Sequence, residues 1–278
     1  MKLKDKIRYF LAKIIFRKTI LFSFEEDRVW NIKKKITGYV PFFYEFGEIN
    51  VKKFNVIVPL TIPALRYINA YPGLFSNKTY ICPSSDCINL CDNKESFYKY
   101  LAKNGFEQLT PKVNEKFSYP YVIKKKTGDF GEGIFVINNE GSEKEHADKI
   151  ESEDYFTLEY ITGQDEYACH IIVADGRIVF FRTIKHTFQD DYFIKGKHCE
   201  PAVSEEVDHN KFKPIFEEIL LGMNYQGICC FDYKTTGDSL KIFEINPRYG
   251  ASMDSFINDA LVDYSHYGSP GQRTERTV

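Results

Sequence analysis

Residues 227–248 constrain this chain more than any other stretch. An apolar run, Gly-Ile-Cys-Cys-Phe, carries the lone acid Asp232 at its end. A Gly-Asp-Ser turn follows, and a second apolar run closes in Glu244-Ile-Asn246-Pro-Arg248. Alternate side chains of a strand share a face, so Glu244 and Asn246 point the same way. A hairpin symmetric about Asp238 sets Asp232 directly opposite Glu244. Two facing carboxylates repel and titrate abnormally unless a cation lies between them. Two acids and an amide oxygen, with no Cys or His, form a hard oxygen site suited to Mg²⁺ (or Mn²⁺) holding substrate phosphates. A plain surface hairpin is the competing reading. Asp232 speaks against it, because a solvated face would already alternate across Ile-Cys-Cys-Phe.

The totals set the frame. At 278 residues and 43% hydrophobic, the chain can bury one large core or several small lobes. A formal net charge of -2 gives no general attraction to nucleic acid. Seven cysteines and no visible secretory leader predict reduced thiols in a cytoplasmic protein. Cys82, Cys87 and Cys91 are closely spaced, but no fourth ligand with matching spacing makes them a zinc site. No apolar run approaches the roughly 20 residues of a membrane span.

Charge is uneven along the chain. Residues 1–18 carry Lys2, Lys4, Lys6, Arg8, Lys13, Arg17 and Lys18 against Asp5 alone. Leu3, Ile7, Phe10, Leu11, Ile14 and Ile15 fall on one helical face. Such a helix can lie peripherally on an anionic membrane, or pack its stripe on the body with its lysines in water.

The pattern divides the chain into four parts. Residues 1–50 hold the basic helix and an aromatic-rich segment. Residues 51–112 read as a small α/β domain, with strands near 55–60 and 79–82. A helix over 94–104 is opened by Asp92 as N-cap with Glu95 three residues on, and closed by Gly105. Residues 113–267 show longer strands: 121–124, 134–137 and 155–161, then 167–173 and 177–183 about an Asp-Gly turn. Helices are predicted over 142–150, 211–221 and 252–264. The polar residues 268–278 are expected to be a disordered tail.

Lys124 ends an apolar strand just before the loop Thr127-Gly-Asp-Phe-Gly-Glu-Gly133. Glycines let backbone N–H groups approach phosphate oxygens, and a nearby ammonium neutralises them. Neither a P-loop nor a Rossmann glycine pattern is present, and the Asp129-Phe130-Gly131 triplet lacks the other kinase motifs. The segment from Glu159 to Glu166 leaves one strand and enters the next. Its freed backbone groups can read an adenine edge while a carboxylate holds ribose hydroxyls.

In order, these pieces resemble the ATP-grasp superfamily: Lys94 at a helix start, Lys124 in Tyr-Val-Ile-Lys, the loop to Gly133, Glu159 to Glu166, and Asp232 with Glu244-Ile-Asn246-Pro-Arg248. The resemblance implies an α+β or α/β fold: a small N-terminal α/β lobe, a central nucleotide-binding lobe and a C-terminal antiparallel sheet. It also implies roles. Lys94, Lys124, Gly131 and Gly133 would hold ATP phosphates. Glu159, Tyr160 and Ile161 would hold adenine, and Glu166 the ribose. Asp232, Glu244 and Asn246 would bind the metal, with Arg248 and Lys124 as the catalytic cations. The implied reaction joins a carboxylate, on a small molecule or glycan, to an amine through an acylphosphate. Similarity to small ligases of bacterial surface-polysaccharide biosynthesis suggests that setting. A phosphotransferase or a non-catalytic nucleotide binder is the alternative. The acidic Asp129 and Glu132 are unusual for a phosphate cradle and have no assigned role.

Overall fold

The structure is a computed structural model describing residues 3–15, 18–128, 131–196 and 199–268. Lys2, Arg17, Asp129 and the expected tail beyond Gly268 therefore lie outside the described residues.

The chain opens with α1 (Leu3–Ile15), β1 (Thr19–Phe22), α2 (Glu26–Lys35), β2 (Val40–Phe43) and β3 (Val56–Val58). These strands form a parallel sheet in the order β2-β1-β3. The sheet thus recruits the aromatic-rich segment, and the boundary expected at residue 51 runs through it. Buried parallel strands are near-continuous apolar runs, so Thr19-Ile-Leu-Phe and Val-Pro-Phe-Phe carried no alternation to read. α3 (Ile62–Ala70) follows, its N-terminus capped by the Thr61 hydroxyl. The strand expected at 79–82 reduces to a single bridge between Thr79 and Val56.

Next come α4 (Pro72–Phe75), α5 (Ser85–Asp92) and α6 (Lys94–Lys103). Asp92 is the last residue of α5, and Asn93 caps α6 by accepting from the Ser96 N–H. The cap lies one residue later than expected because a second helix, itself capped by Ser84, ends there.

β4 (Tyr121–Lys125), β5 (Ile134–Ile137), α7 (Glu140–Glu145), α8 (Ala147–Ile150) and β6 (Tyr155–Glu159) form a three-stranded antiparallel cover in the order β5-β4-β6. The single helix expected over 142–150 is broken at His146. The remaining strands are β7 (Asp165–Ala174), β8 (Arg177–Thr187), β9 (Val203–Val207), β10 (Gly227–Thr236) and β11 (Ser239–Asn246). They build an antiparallel floor in the order β11-β10-β7-β8-β9. α9 (Lys213–Gly222) packs on one face of this floor, and α10 (Ile257–Tyr267) on the other.

Two large apolar clusters hold the floor. One joins Phe97 and Leu101 of α6 to Phe216 and Ile219 of α9 and Phe231 of β10. The other joins Ile20, Phe22 and Ile32 of the N-terminal lobe to Ile172, Tyr249, Met253 and Tyr264. A buried ion pair reinforces the second cluster: Arg28 of α2 donates to Asp254 at 2.6 Å and lies over the Tyr249 ring. The cover has only small apolar clusters of its own, such as Tyr121, Ile123 and Ile137.

Candidate active site

The β10–β11 hairpin places the acidic cluster. Asp232 pairs with Glu244 as the sequence predicts, although the two-residue turn at Gly237-Asp238 is not centred on Asp238. An irregularity between Asp232 and Tyr233 restores the pairing by leaving Phe243 unmatched. Asn246 Nδ2 lies 3.0 Å from Asp232 Oδ2 and 3.1 Å from Glu244 Oε1, so the three side chains converge. Among the described residues no group of three or more His, Cys, Asp or Glu side chains is placed to hold a metal ion. This cluster is two carboxylates and an amide, and its hard oxygen chemistry fits a divalent cation with phosphate ligands.

Lysines neutralise the carboxylates from three directions. Lys124 of β4 reaches down from the cover to Glu244 Oε2 at 2.7 Å. Lys94, at the start of α6, lies 3.9 Å from the same oxygen and donates to the Gly128 carbonyl at 2.6 Å. Burial pushes the Glu244 pKa up, but Lys124 and Lys94 outweigh it and hold the carboxyl well below its ordinary value. The third lysine, Lys195, bridges Glu166 at 2.8 Å and Asp232 at 2.6 Å. Burial opposes its charge, yet Asp232 and Glu166 raise its pKa and keep it protonated. Lys195 went unnoticed in the sequence because it lies in an irregular stretch between β8 and β9.

A slot of about 120 Å³ runs from this cluster between cover and floor. Val122, Ile134, Leu158, Phe193 and Phe243 give it apolar walls, while Lys124, Lys195, Asp232 and Glu244 charge one end. Such a slot accepts a flat heterocycle with its phosphates at the charged end. Glu159, Tyr160, Ile161 and Glu166 also line it. Glu159 is anchored by its backbone N–H and carboxylate to Lys112. The Tyr160 hydroxyl accepts from the Phe193 N–H at 2.8 Å, and the ring stacks on Tyr192. Burial pushes its phenol pKa up to about 12. The Ile161 carbonyl accepts from Lys234 at 3.0 Å. Lys234, a second residue missed in the sequence, also bonds the Gly163 carbonyl and lies 4.3 Å from the centre of the Phe193 ring. Its place two residues after Asp232 was the available signal.

Two glycines set the loop over this end. Gly131 has φ +73°, and an added Cβ would meet the Lys195 carbonyl oxygen at 2.6 Å. Gly133 has φ +75°, and its Cβ would strike Lys125 Cβ at 2.8 Å. Gly131 lines the slot, whereas Gly133 closes the β4–β5 loop through its carbonyl to the Lys125 N–H.

Arg248 lies elsewhere. It faces a second cavity of about 370 Å³, together with Arg28, His170, His186, Ser204 and Ser252. Both cavities share Gly131, Lys195, Asp232 and Glu244. The acidic cluster is therefore the wall between an apolar slot and a polar chamber. His170 lies buried under that chamber, against Gly250, and bonds Ser252 at 2.7 Å. Burial, then Arg28 and Lys195, lowers its pKa to about 3, so it is neutral.

The comparisons agree with this architecture. A profile of the ATP-grasp domain matches residues 94–252. The chain is similar to a D-alanine–D-alanine ligase from Campylobacter concisus, 28% identical over 204 residues. That match takes in 66% of this chain and 58% of the relative's length. A D-alanine–D-alanine ligase from Bacillus anthracis, complexed with ATP, has a similar fold at 12% identity and a TM-score of 0.58, covering 90% of this chain and 95% of that one. N5-carboxyaminoimidazole synthetase from Staphylococcus aureus, complexed with ADP, superposes at 16% identity and 0.61, covering 93% and 79%. Biotin carboxylase from Campylobacter jejuni does so at 11% and 0.62, covering 99% and 70%. Motif order, sheet architecture and the matched domain lead to one assignment: the chain belongs to the ATP-grasp family.

Proposed function

We propose that the protein is an ATP-dependent carboxylate–amine ligase. The observation that carries this reading is the pair of cavities meeting at Asp232, Glu244 and Asn246. An apolar slot on one side suits adenine, with the Tyr160–Ile161 backbone along the base and Glu166 toward the ribose. Lys94 and Lys124 suit the phosphates, with Gly131 and Gly133 shaping the loop above them. The polar chamber on the other side, with Arg248 at its edge, suits an anionic acceptor.

Asp232, Glu244 and Asn246 would hold Mg²⁺, which would supply positive charge to neutralise the substrate phosphates. The chain's own groups do the rest. The lysines and Arg248 stabilise charge on the transferred phosphoryl group, and the cover excludes water from the acylphosphate. A carboxylate oxygen of the acceptor attacks the γ-phosphorus and ADP leaves. The amine then attacks the acyl carbon, phosphate departs, and the nitrogen loses a proton to leave the amide. No protein nucleophile is required. A glycan or sugar carboxylate as acceptor, in cytoplasmic surface-polysaccharide biosynthesis near the membrane, belongs to the same proposal.

The test is a screen of acid and amine pairs with ATP and Mg²⁺, following ADP and phosphate release and the amide by mass spectrometry. Stoichiometric ADP, phosphate and amide support the ligase. A phosphorylated acceptor without free phosphate replaces it by a phosphotransferase. Calorimetry with no heat of ATP binding in Mg²⁺ removes the nucleotide site altogether.

A further inference from the structure

α1 docks on the body with the wrong face for an ordinary packed helix. Its contacts come from Asp5, Arg8, Tyr9 and Ala12. Tyr9 sits edge-on to Phe42 and Phe54, and its hydroxyl donates to the Lys53 carbonyl at 2.6 Å. The Tyr44 hydroxyl donates to Asp5, Arg8 lies over Phe42, and Ala12 is buried. The apolar stripe is turned outward instead. Leu3 is 74% exposed, Ile7 55%, Phe10 64% and Leu11 47%. Four large apolar side chains on one helical face form a contiguous ridge, unlike a scatter of single exposed residues.

We propose that this ridge is the seat of an anionic lipid bilayer. The inference does not depend on the ligase reading. The charge around the ridge selects the partner. Lys4 and Lys6 are exposed beside it, and Lys4 and Arg8 border a groove completed by Lys33 of α2 and by Phe24. Three acids also line that groove: Asp5, half-buried, and Glu45 and Glu48, both exposed and carried by the chain after β2 rather than by either helix. The Tyr44 hydroxyl occupies Asp5. On α2, Trp30 is 74% exposed and lies one helical turn from Lys33. An aromatic and aliphatic ridge flanked by lysines is the arrangement that rests at a lipid headgroup boundary, stripe down and ammonium groups level with phosphates. A second copy of this chain fits worse, because a two-fold contact through the ridge would bring two basic flanks, each with Lys4, Lys6 and Arg8, close together. The helix has 13 residues, and no described helix is long and apolar enough to cross a membrane, so it would lie flat.

The experiment is co-sedimentation of the full chain with phosphatidylcholine vesicles, with and without 30% phosphatidylserine. Binding to the anionic vesicles is expected, weakened at least tenfold in 0.5 M salt. The double variant Ile7→Ser/Phe10→Ser is expected to lose binding at least tenfold with an unchanged melting temperature, since both side chains are exposed. Lys4→Glu/Lys6→Glu is expected to lose only the anionic preference. Equal capture by both vesicle types, or capture unchanged in either variant, overturns the proposal. So does the absence of capture. A concentration-dependent dimer in sedimentation velocity that Ile7→Ser/Phe10→Ser abolishes would assign the ridge to a second copy. A fall in melting temperature of that variant would assign it to the fold.

Discussion

Glu244 answers to Lys124, Lys94 and Asn246 at once, and that makes it the most informative single position. On the proposed reading, Glu244→Gln keeps the shape and removes a charge that would hold the cation. A bound cation would stabilise charge growing during transfer, so turnover is expected to fall on the order of 10²-fold while ATP affinity falls much less. Steady-state ADP release against calorimetric affinity separates the two. Lys124→Met removes the nearer of the two lysines on the half-buried Glu244 carboxylate and leaves Lys94 at 3.9 Å. A stability loss of about 2 kcal/mol at pH 7 is expected, together with weaker nucleotide binding. Because the folded pKa of Glu244 is depressed, its contribution is present above the ordinary value near 4.5 and fades as pH falls toward the lower folded value. The gap between variant and parent in urea melts should therefore narrow below pH 4.5. His170 works on a different window. Unfolded it binds a proton below its ordinary 6.5, while the folded chain resists protonation down to about 3. Stability should fall as pH drops through that interval. His170→Gln should reduce the slope by about one proton, read from urea midpoints between pH 4 and 6.5.

At the scale of elements, the β4–β5 loop and the 188–202 segment are fitted to each other at Gly131. Gly131→Ala must strain a left-handed backbone and push back the Lys195 carbonyl. Nucleotide affinity is expected to fall at least tenfold, as Lys195 shifts off Asp232 and Glu166, while the melting temperature changes by only a few degrees. Gly38→Ala has open space around its Cβ and serves as the control for left-handed strain alone. The same elements show what the sequence can convey. The convergence of Asp232, Glu244, Asn246 and Lys124 was legible because they end or interrupt apolar strands, where a polar group has few structural uses. The hairpin register was legible too, although a bulge rather than turn symmetry delivers it. Lys195 and Lys234 were not, because one sits in irregular chain and the other looks like any strand lysine until its carbonyl partners are placed. β1 and β2 were hidden for the opposite reason: buried on both sides, they lack the alternation that marks a half-exposed strand. The outward turn of α1 could not be read from its stripe at all. A periodic face gives a helix its sides but not the side that docks.

Across the whole molecule, the lobes share a core rather than meeting at a linker. Ile20, Phe22 and Ile32 pack with Ile172, Met253 and Tyr264, and Tyr264 bonds the Ile57 carbonyl and the Ile81 N–H. A chain starting at residue 51 should therefore be insoluble or molten, despite retaining every residue of the proposed nucleotide site, with lost near-ultraviolet dichroism as the readout. Arg28→Ala should show the same dependence more mildly, by about 3 kcal/mol in urea melts, since it leaves the buried Asp254 unpaired. The cover has a different attachment. Its Lys124 crosses the slot to Glu244, Lys94 grips the loop at Gly128, and both bonds involve groups that a nucleotide and its cation would claim. If the proposed site is right, the groups that hold the cover to the floor are the ones ATP would claim. Binding would then be an exchange of ionic partners, and its rate should quicken with moderate salt, which loosens those pairs, before declining as the phosphates too are screened.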